Sequence, residues 1–193
     1  AKNFSSRNFK LKLAFVVDEE YISLGMCKLI ESNWLKDVFG AIAFEPGFNY
    51  GIKGIALGRI GRPVYNLTVK TEGGHTYLVQ ERINAIEEAM RAIDIIKKVR
   101  SIDNKYLGKS ILFPRSIQSI DGKSMSIPSI VNVEIEGQLV PPQTSKSMLE
   151  QLRKEFFNAK KKGLIKAYIH VDFLKRVTPF CEPKKYSNQA DES

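Results

Sequence analysis

The sequence predicts a mixed α/β chain, more narrowly an α+β chain whose main sheet packs one face under two helices. Three observations predict this class. Residues 63–70 alternate between apolar and polar side chains, as a half-buried strand does. Residues 81–100 carry apolar side chains at helical spacing, and residues 144–162 do so again after the Pro141-Pro142 break. Further strand patterns complete a β-α-β-β-α-β order, which is typical of a two-layer sandwich.

The remaining strands of this unit are predicted at residues 110–119, 130–140 and 167–174. Asp121-Gly122-Lys123 is typical of a turn. Thr144 or Ser145 can cap the second helix, and Gly163 can end it. The residues expected on the inward helix faces are Ile83, Ile86, Ala89, Met90, Ile93, Ile96, Met148, Leu149, Leu152, Phe156 and Phe157.

The first fifty residues predict a β-α-β segment, with a strand at 11–17, a helix at 23–32 and a second short apolar run at 38–44. This segment is too small to close a sheet alone, so we expect it to be part of a larger layer. Five glycines between residues 47 and 61 indicate a linker. We therefore predict domains at residues 1–57 and 58–176, followed by a return segment and polar tail at 177–193.

Composition argues against several classes of protein. No apolar run is long enough to span a bilayer, and residues 1–7 have no apolar targeting core. Two distant cysteines, Cys27 and Cys181, favour a reducing, cytoplasmic setting over a disulfide framework. The net charge of +9 invites nucleic-acid binding, but its densest cluster, residues 160–162, ends a predicted helix, where cations complement the helix dipole. We expect neither a nucleic-acid nor a membrane partner.

Three carboxylates, Asp18-Glu19-Glu20, follow the first predicted strand. Crowded acids at the end of a buried strand repel one another, and a bound cation would remove that cost. Strand ends are also where α/β sheets place their active sites. The sequence therefore predicts a metal and acid/base site here, and the other reading is a loop whose carboxylates all face water.

Several motifs then follow in order along the chain. They are Val17-Asp18-Glu19-Glu20, Phe44-Glu45-Pro46, Gly58-Arg59, His75, Asn84-Ala85-Ile86 and Leu139-Val140-Pro141-Pro142. The series resembles the M20 family of zinc-dependent metallohydrolases (metallopeptidases and deacylases). That family includes acetylornithine deacetylase, succinyl-diaminopimelate desuccinylase and glutamate carboxypeptidases, which act in amino-acid metabolism.

The resemblance implies a role for each matched residue. Glu19 would be the general base, while Glu20 and Glu45 would ligate two zinc ions, with cobalt or manganese as alternative metals. His75 would stabilise the developing oxyanion. Asn84 is a candidate substrate-binding residue, although it could instead cap the long helix or tie down a loop near His75. Glu45 could equally be a surface residue before a turn.

The resemblance also implies an architecture. Residues 1–57 would be part of the catalytic domain, and the β-α-β-β-α-β unit would be the lid, through which the family forms homodimers. The family site needs a further aspartate and histidines, whereas this chain has only His75 and His170, the latter inside a predicted strand. We therefore expect a fragment of a longer hydrolase, inactive as this isolated chain.

Two further departures lie in the predicted lid. Met125-Ser126-Ile127-Pro128 stands where the family often has Asn-x-x-Pro, and Gln138 stands where it often has arginine. Both put the substrate class in doubt. The function expected by resemblance is hydrolysis of an amide bond in an N-acyl amino acid or at a peptide C-terminus. The alternative is a dimerisation or interaction module without catalysis.

Overall fold

The computed structural model describes residues 10–19, 23–42 and 59–174. The chain divides into two compact units, Ala1–Pro46 and Gly47–Ser193, and each is described by itself. The predicted domain boundaries after residues 57 and 176 lie outside the described residues. Within those ranges, none of the helices combines the length and the apolar character needed to cross a bilayer.

The first unit has one helix, α1 (Leu24–Glu31), and its described residues include no strand. The predicted helix is confirmed, but the strand predicted at residues 11–17 is wrong. That segment is irregular, and Leu11 and Phe15 expose 86% and 95% of their surface. A strand needs a neighbour to accept and donate its backbone hydrogen bonds, and the described part of this unit offers none. Residues 38–42 also form no strand, and the end of that predicted run lies outside the description.

The second unit is built on antiparallel pairing. Its strands are β1 (Val64–Lys70), β2 (Gly74–His75), β3 (Asp103–Asn104), β4 (Gly108–Lys109), β5 (Ile111–Ser119), β6 (Ser126–Ile127), β7 (Ile130–Gln138) and β8 (Tyr168–Phe173). The four long strands form one sheet in the order β5-β7-β1-β8, while β2 pairs with β6 and β3 with β4. The strands predicted at residues 63–70, 110–119, 130–140 and 167–174 are confirmed as the four strands of the main sheet.

Two helices, α2 (Ala85–Ile96) and α3 (Ser145–Lys161), pack on the main sheet. The Asn84 side-chain oxygen accepts a hydrogen bond from the Ile86 backbone N–H at 2.9 Å and so caps α2. Thr144 and Ser147 form a reciprocal capping box at the start of α3, with N···O distances of 3.1 and 2.9 Å. The chain order β1-α2-β5-β7-α3-β8 confirms the predicted β-α-β-β-α-β sandwich.

The core lies between this sheet and the two helices. It includes Leu67, Val133 and Leu152, all fully buried. On α2 the inward residues are Ala85, Glu88, Ala89, Ala92 and Ile96. The predicted inward positions Ile86 and Met90 are wrong, since they are 37% and 60% exposed. Because alanines let α2 approach the sheet closely, the alanine stripe faces the sheet, and the larger Ile86 and Met90 side chains lie outside it.

The inward face of α3 matches its prediction except at one position. Met148, Leu149, Leu152 and Phe156 are buried, whereas Phe157 is 61% exposed. Adjacent residues on a helix point about 100° apart, so Phe156 and Phe157 cannot both face the sheet. Phe156 packs against the sheet, and Phe157 faces solvent.

Candidate functional site

In the first unit, Asp18 of the acidic segment contacts the start of α1. Asp18 has a positive φ of 62°, its carbonyl accepts a hydrogen bond from Ser23 N–H at 2.7 Å, and its carboxylate accepts one from Leu24 N–H at 3.3 Å. A carboxylate at this position satisfies an unpaired donor of the first helical turn. Asp18 therefore has a local structural role that the sequence analysis did not assign.

Glu19, the predicted base, is exposed, and its backbone carbonyl accepts a hydrogen bond from the Ser23 hydroxyl at 3.1 Å. The two predicted metal ligands, Glu20 and Glu45, lie outside the described residues. Within the described ranges, no three His, Cys, Asp or Glu side chains are grouped closely enough to hold a metal ion. The described residues alone therefore do not fit a two-zinc centre, and the assignments of Glu19, Glu20 and Glu45 stay predictions.

His75 lies in the second unit on a turn that only glycine can form. Gly73 and Gly74 have φ of 58° and 145°, and a Cβ on Gly73 would lie 2.6 Å from the Ser129 Cβ. The turn delivers His75 to β2, where it is paired with Ser126 of β6. Thr76 N–H then donates to the Met125 carbonyl at 3.1 Å. Backbone pairing thus holds His75 against the segment at residues 125–128.

That segment is itself anchored by Asp121. The Asp121 carboxylate accepts the Ser129 hydroxyl at 2.5 Å, the Ser129 N–H at 3.0 Å and the Ile130 N–H at 3.0 Å. These hydrogen bonds, the Ser129 hydroxyl first, hold the pKa of Asp121 below its usual value. The predicted turn at residues 121–123 is therefore stabilised by its own acid, which also fixes the start of β7.

The His75 ring is oriented by its neighbour in sequence. Its Nδ1 accepts a hydrogen bond from the Tyr77 backbone N–H at 3.2 Å. An accepting Nδ1 carries no proton, so the neutral ring must carry its proton on Nε2. The side chain is exposed, and Nε2 has no hydrogen-bond partner among the described residues. His75 is therefore a preset donor available to a ligand.

The surroundings of His75 are partly apolar. Tyr77 and Met125 are 88% and 63% exposed. Met125 also adopts a φ of 59°, a conformation in which asparagine is enriched and methionine is uncommon. Arg82, which forms an ion pair with Glu72, lies beside Gly74. This arrangement can offer one hydrogen bond and some apolar contact to a small polar ligand.

Asn84 lies beside the same segment, because Ala85 N–H donates to the Pro128 carbonyl at 3.1 Å. The capping role that the sequence allowed for Asn84 is confirmed, since its side-chain oxygen is bonded to the helix. Substrate binding by Asn84 stays a prediction. The motifs around residues 75, 84 and 125 are thus brought together, although the segment at residues 125–128 is distant from the other two in sequence.

The sequence analysis missed a buried carboxylate. Glu88 is fully buried, and its carboxylate accepts the backbone N–H groups of Lys166 and Ala167 at 2.6 and 2.8 Å and pairs with Arg91. Burial by itself raises the pKa of Glu88, but the Ala167, Lys166 and Arg91 donors outweigh it and hold the pKa below its usual value. In the sequence, the one indication that Glu88 is buried was its position directly before Ala89, on the alanine-rich stripe of α2.

His170 lies in β8, as the sequence predicts, and is paired with Thr68 of β1. Its Nε2 is 4.0 Å from an Asp172 carboxylate oxygen, and both side chains are more than half exposed. This surface pair and His75 are in the same unit, but no described contact joins them.

Neither family profiles nor curated proteins match this chain, but solved structures do. The aminobenzoyl-glutamate utilization protein from Klebsiella pneumoniae aligns with a TM-score of 0.51 and 13% identity, over 68% of this chain and 34% of that one. An amidase of the hydantoinase/carbamoylase family from Burkholderia multivorans aligns at 0.48 and 15% identity, over 64% and 29%. The aminopeptidase PepT from Bacillus cereus ATCC 10987 aligns at 0.49 and 13%, over 72% and 36%.

These likenesses concern the fold. With a TM-score of 0.51, the Klebsiella protein shares the arrangement of helices and antiparallel strands, which confirms the α+β class. This chain spans only about a third of the length of the solved structures it matches, with 29% to 36% of each covered. The activity of any complete protein of this kind is therefore a matter of proposal.

Proposed function

We propose that the second unit is the lid of an M20-type hydrolase that cleaves an amide bond, with His75 as the donor to the oxyanion. Three observations support this proposal: the ordered series of motifs, the α+β fold, and the meeting of the His75, Asn84 and 125–128 segments. The Klebsiella protein is named for aminobenzoyl-glutamate, an N-acyl amino acid, which agrees with the substrate class that the motifs imply.

The single observation that carries the proposal is the hydrogen bond from Tyr77 N–H to His75 Nδ1. In amide hydrolysis, water adds to the carbonyl carbon and the carbonyl oxygen becomes an anion. A donor already aimed outward, such as the Nε2–H of His75, stabilises that anion without reorienting. Loss of a comparable donor lowers kcat by about 10²–10³.

Glu19 has the second role in this proposed reaction, that of the general base. As general base, its carboxylate would take a proton from the attacking water and return it to the leaving amine as the carbon–nitrogen bond breaks. Its exposure leaves the carboxylate free to do so. Glu20 and Glu45 would ligate the zinc ions. Metal analysis of the zinc-loaded chain, compared with Glu20→Gln and Glu45→Gln variants, tests those ligands.

The donor role of His75 is tested by ¹⁵N nuclear magnetic resonance of the histidine side chains. We expect His75 in the Nε2–H form and His170 to serve as the internal control. Titration with a phosphinate analogue of an N-acetyl amino acid should move the His75 Nε2 signal and leave His170 unchanged. A His75 ring protonated on Nδ1, or equal shifts at both histidines, would remove the basis of the proposal.

A second candidate function is the non-catalytic dimerisation module. Strands β5 and β8 are the two edges of the main sheet, and each has one paired side. The exposed apolar residues Ile117 on β5 and Tyr168 on β8 make these edges suitable for pairing with another copy. We propose a homodimer through this unit in either case. Sedimentation of the full chain at micromolar concentration should give a dimer, and a monomer at all concentrations would contradict it.

A further inference from the structure

The positive charge of this chain is concentrated on one helix. Residues 145–166 contain seven lysines and arginines and two glutamates, which gives +5 of the total +9. On α3 and its C-terminal end, the side chains of Lys154, Phe157, Lys161, Lys162 and Leu164 are all exposed. We call these five residues the α3 basic face. Lys161 and Lys162 lie at the last turn, where cations complement the helix dipole, but Lys154 lies about two turns earlier, beyond the reach of that effect.

The cations of the α3 basic face are not neutralised within the described structure. No described carboxylate lies within ion-pair distance of Lys154, Lys161 or Lys162, and the Lys161 ammonium lies 5.0 Å from the centre of the Phe157 ring. The arginine of the same helix is engaged, since Arg153 donates to the Val171 carbonyl at 3.2 Å and lies 3.6 Å from an Asp172 oxygen. The free charges are thus lysines, whose flexible stems let the ammonium reach a polar surface.

The opposite face of the sheet differs in charge. There Arg62 donates to Glu136 at 3.1 Å and Arg115 to Glu134 at 2.9 Å, so cations and carboxylates are paired. These cations of the sheet face are therefore paired with carboxylates, whereas the three lysines of the α3 basic face are not. An anionic partner would therefore meet α3 first.

Two large apolar side chains lie among these lysines. Phe157, on α3, is 61% exposed, and Leu164, just past the C-terminal end of the helix, is 57% exposed. Lysines around an exposed phenylalanine and leucine are the pattern of helices that rest on lipid bilayers, with ammonium groups at the phosphates and apolar groups below them. Leucine, unlike an aromatic side chain, offers no ring on which the bases of a single strand can stack, and a second copy of this face would be repelled by like charge.

In contrast to the expectation from composition that there is no membrane partner, we propose that the α3 basic face binds the surface of an anionic lipid bilayer, as a peripheral contact. Phe157 and Leu164 enter the boundary between headgroups and acyl chains, and Lys154, Lys161 and Lys162 contact the lipid phosphates. This site is independent of the proposed hydrolase function, because His75 and its surrounding segments contribute nothing to it.

The test is flotation of the full chain with vesicles of phosphatidylcholine, alone or mixed with phosphatidylglycerol. We expect binding to the mixed vesicles only, weakened by salt. The triple variant K154Q/K161Q/K162Q should lose about 100-fold in partitioning, since each lysine near an anionic surface contributes about fivefold. Phe157→Ser should lose about tenfold with the charge unchanged. The control K70Q/K109Q/K123Q removes the same charge from exposed lysines outside α3 and should bind as the parent does.

Several results would overturn the proposal. They are equal binding to neutral vesicles, equal loss in the control triple variant, or parental binding by the α3 triple variant. Retention of a short phosphodiester oligonucleotide through the same three lysines, without loss in Phe157→Ser, would assign the face to nucleic acid instead. A change of oligomeric state in the α3 triple variant would assign it to a second copy. Circular dichroism of each variant confirms that these exposed substitutions leave the fold intact.

Discussion

Glu88 provides the sharpest test of how this unit is held together. Its carboxylate links α2 to the residues that precede β8, through the N–H groups of Lys166 and Ala167 at 2.6 and 2.8 Å and through Arg91. Replacing Glu88 with alanine removes all three interactions. The N–H of Ala167 then has no hydrogen-bond partner, and because this residue is only 2% exposed, water cannot easily reach it.

The magnitude follows from these contacts. A buried donor left unpaired costs about 1–3 kcal/mol. The Lys166 donor is only partly buried and costs less, while the half-exposed Arg91 contributes about 1 kcal/mol or less. We expect Glu88→Ala to lower the free energy of unfolding by about 3–4 kcal/mol. Glu88→Gln keeps one accepting oxygen and should lose about 1–2 kcal/mol, because hydrogen bonds to a charged acceptor are stronger.

The pH dependence of Glu88 has a defined sign. Its pKa is lower in the folded chain than in the unfolded chain, so the folded state binds fewer protons there. The stabilisation is present above the unfolded pKa, about 4.3 for glutamate, and is lost as pH falls through the folded pKa. The difference between the parent and Glu88→Gln should be constant near neutrality and shrink below about pH 4.

The assay is urea unfolding followed by circular dichroism, at neutral pH and across the acid range. Glu87→Gln is the matched control, since Glu87 is 65% exposed and lies 3.9 Å from the same Arg91. It should change stability by about 0.5 kcal/mol or less. A Glu88→Ala variant within about 1 kcal/mol of the parent, or one no worse than the Glu87 control, would refute the reasoning.

Four further predictions concern single substitutions, three of them in the segments around His75 and one, at Gly163, just after α3. Gly73→Ala should cost about 2–3 kcal/mol in thermal unfolding, because its Cβ would lie 2.6 Å from Ser129 at a φ of 58°. Gly163→Ala, at a φ of 69° with nothing within 4 Å, should cost about 1 kcal/mol. Asp121→Asn should cost about 1–2 kcal/mol at neutral pH in urea unfolding. Because the folded pKa of Asp121 is lowered, this difference should disappear on acidification. Met125→Asn should raise stability by about 0.5–1 kcal/mol in thermal unfolding, by suiting the left-handed backbone.

Each of these predictions has an outcome that contradicts it. Equal losses in Gly73→Ala and Gly163→Ala would show that the close approach to Ser129 is unimportant. A difference for Asp121→Asn that persists in acid would show that its charge is not what stabilises the turn. Lower stability in Met125→Asn would mean that the methionine side chain contributes more by contact than its backbone costs.

Local patterns were sufficient to predict the β-α-β-β-α-β order. Alternation over residues 63–70 and the helix cap at Thr144 each depend on side chains within a few residues of one another. The chemistry of a cap or a turn is complete at that range, so the sequence reveals it. The same locality allowed Asn84 to be recognised as a possible cap, and the structure selected that role.

Contacts between distant residues decided the rest. Glu88 is buried because donors 78 and 79 residues further along the chain reach it, and no periodicity reveals such partners. The segment at residues 11–17 has the composition of a strand, but a strand exists only where a neighbour supplies hydrogen bonds. Phe157 became a surface residue because close packing of α3 on the sheet had room for Phe156 alone. In the second unit, the sequence by itself determined the order of the four long strands and two helices, because their patterns are local; tertiary packing decided whether the segment at 11–17 finds a strand partner and which side chains the helices bury or expose.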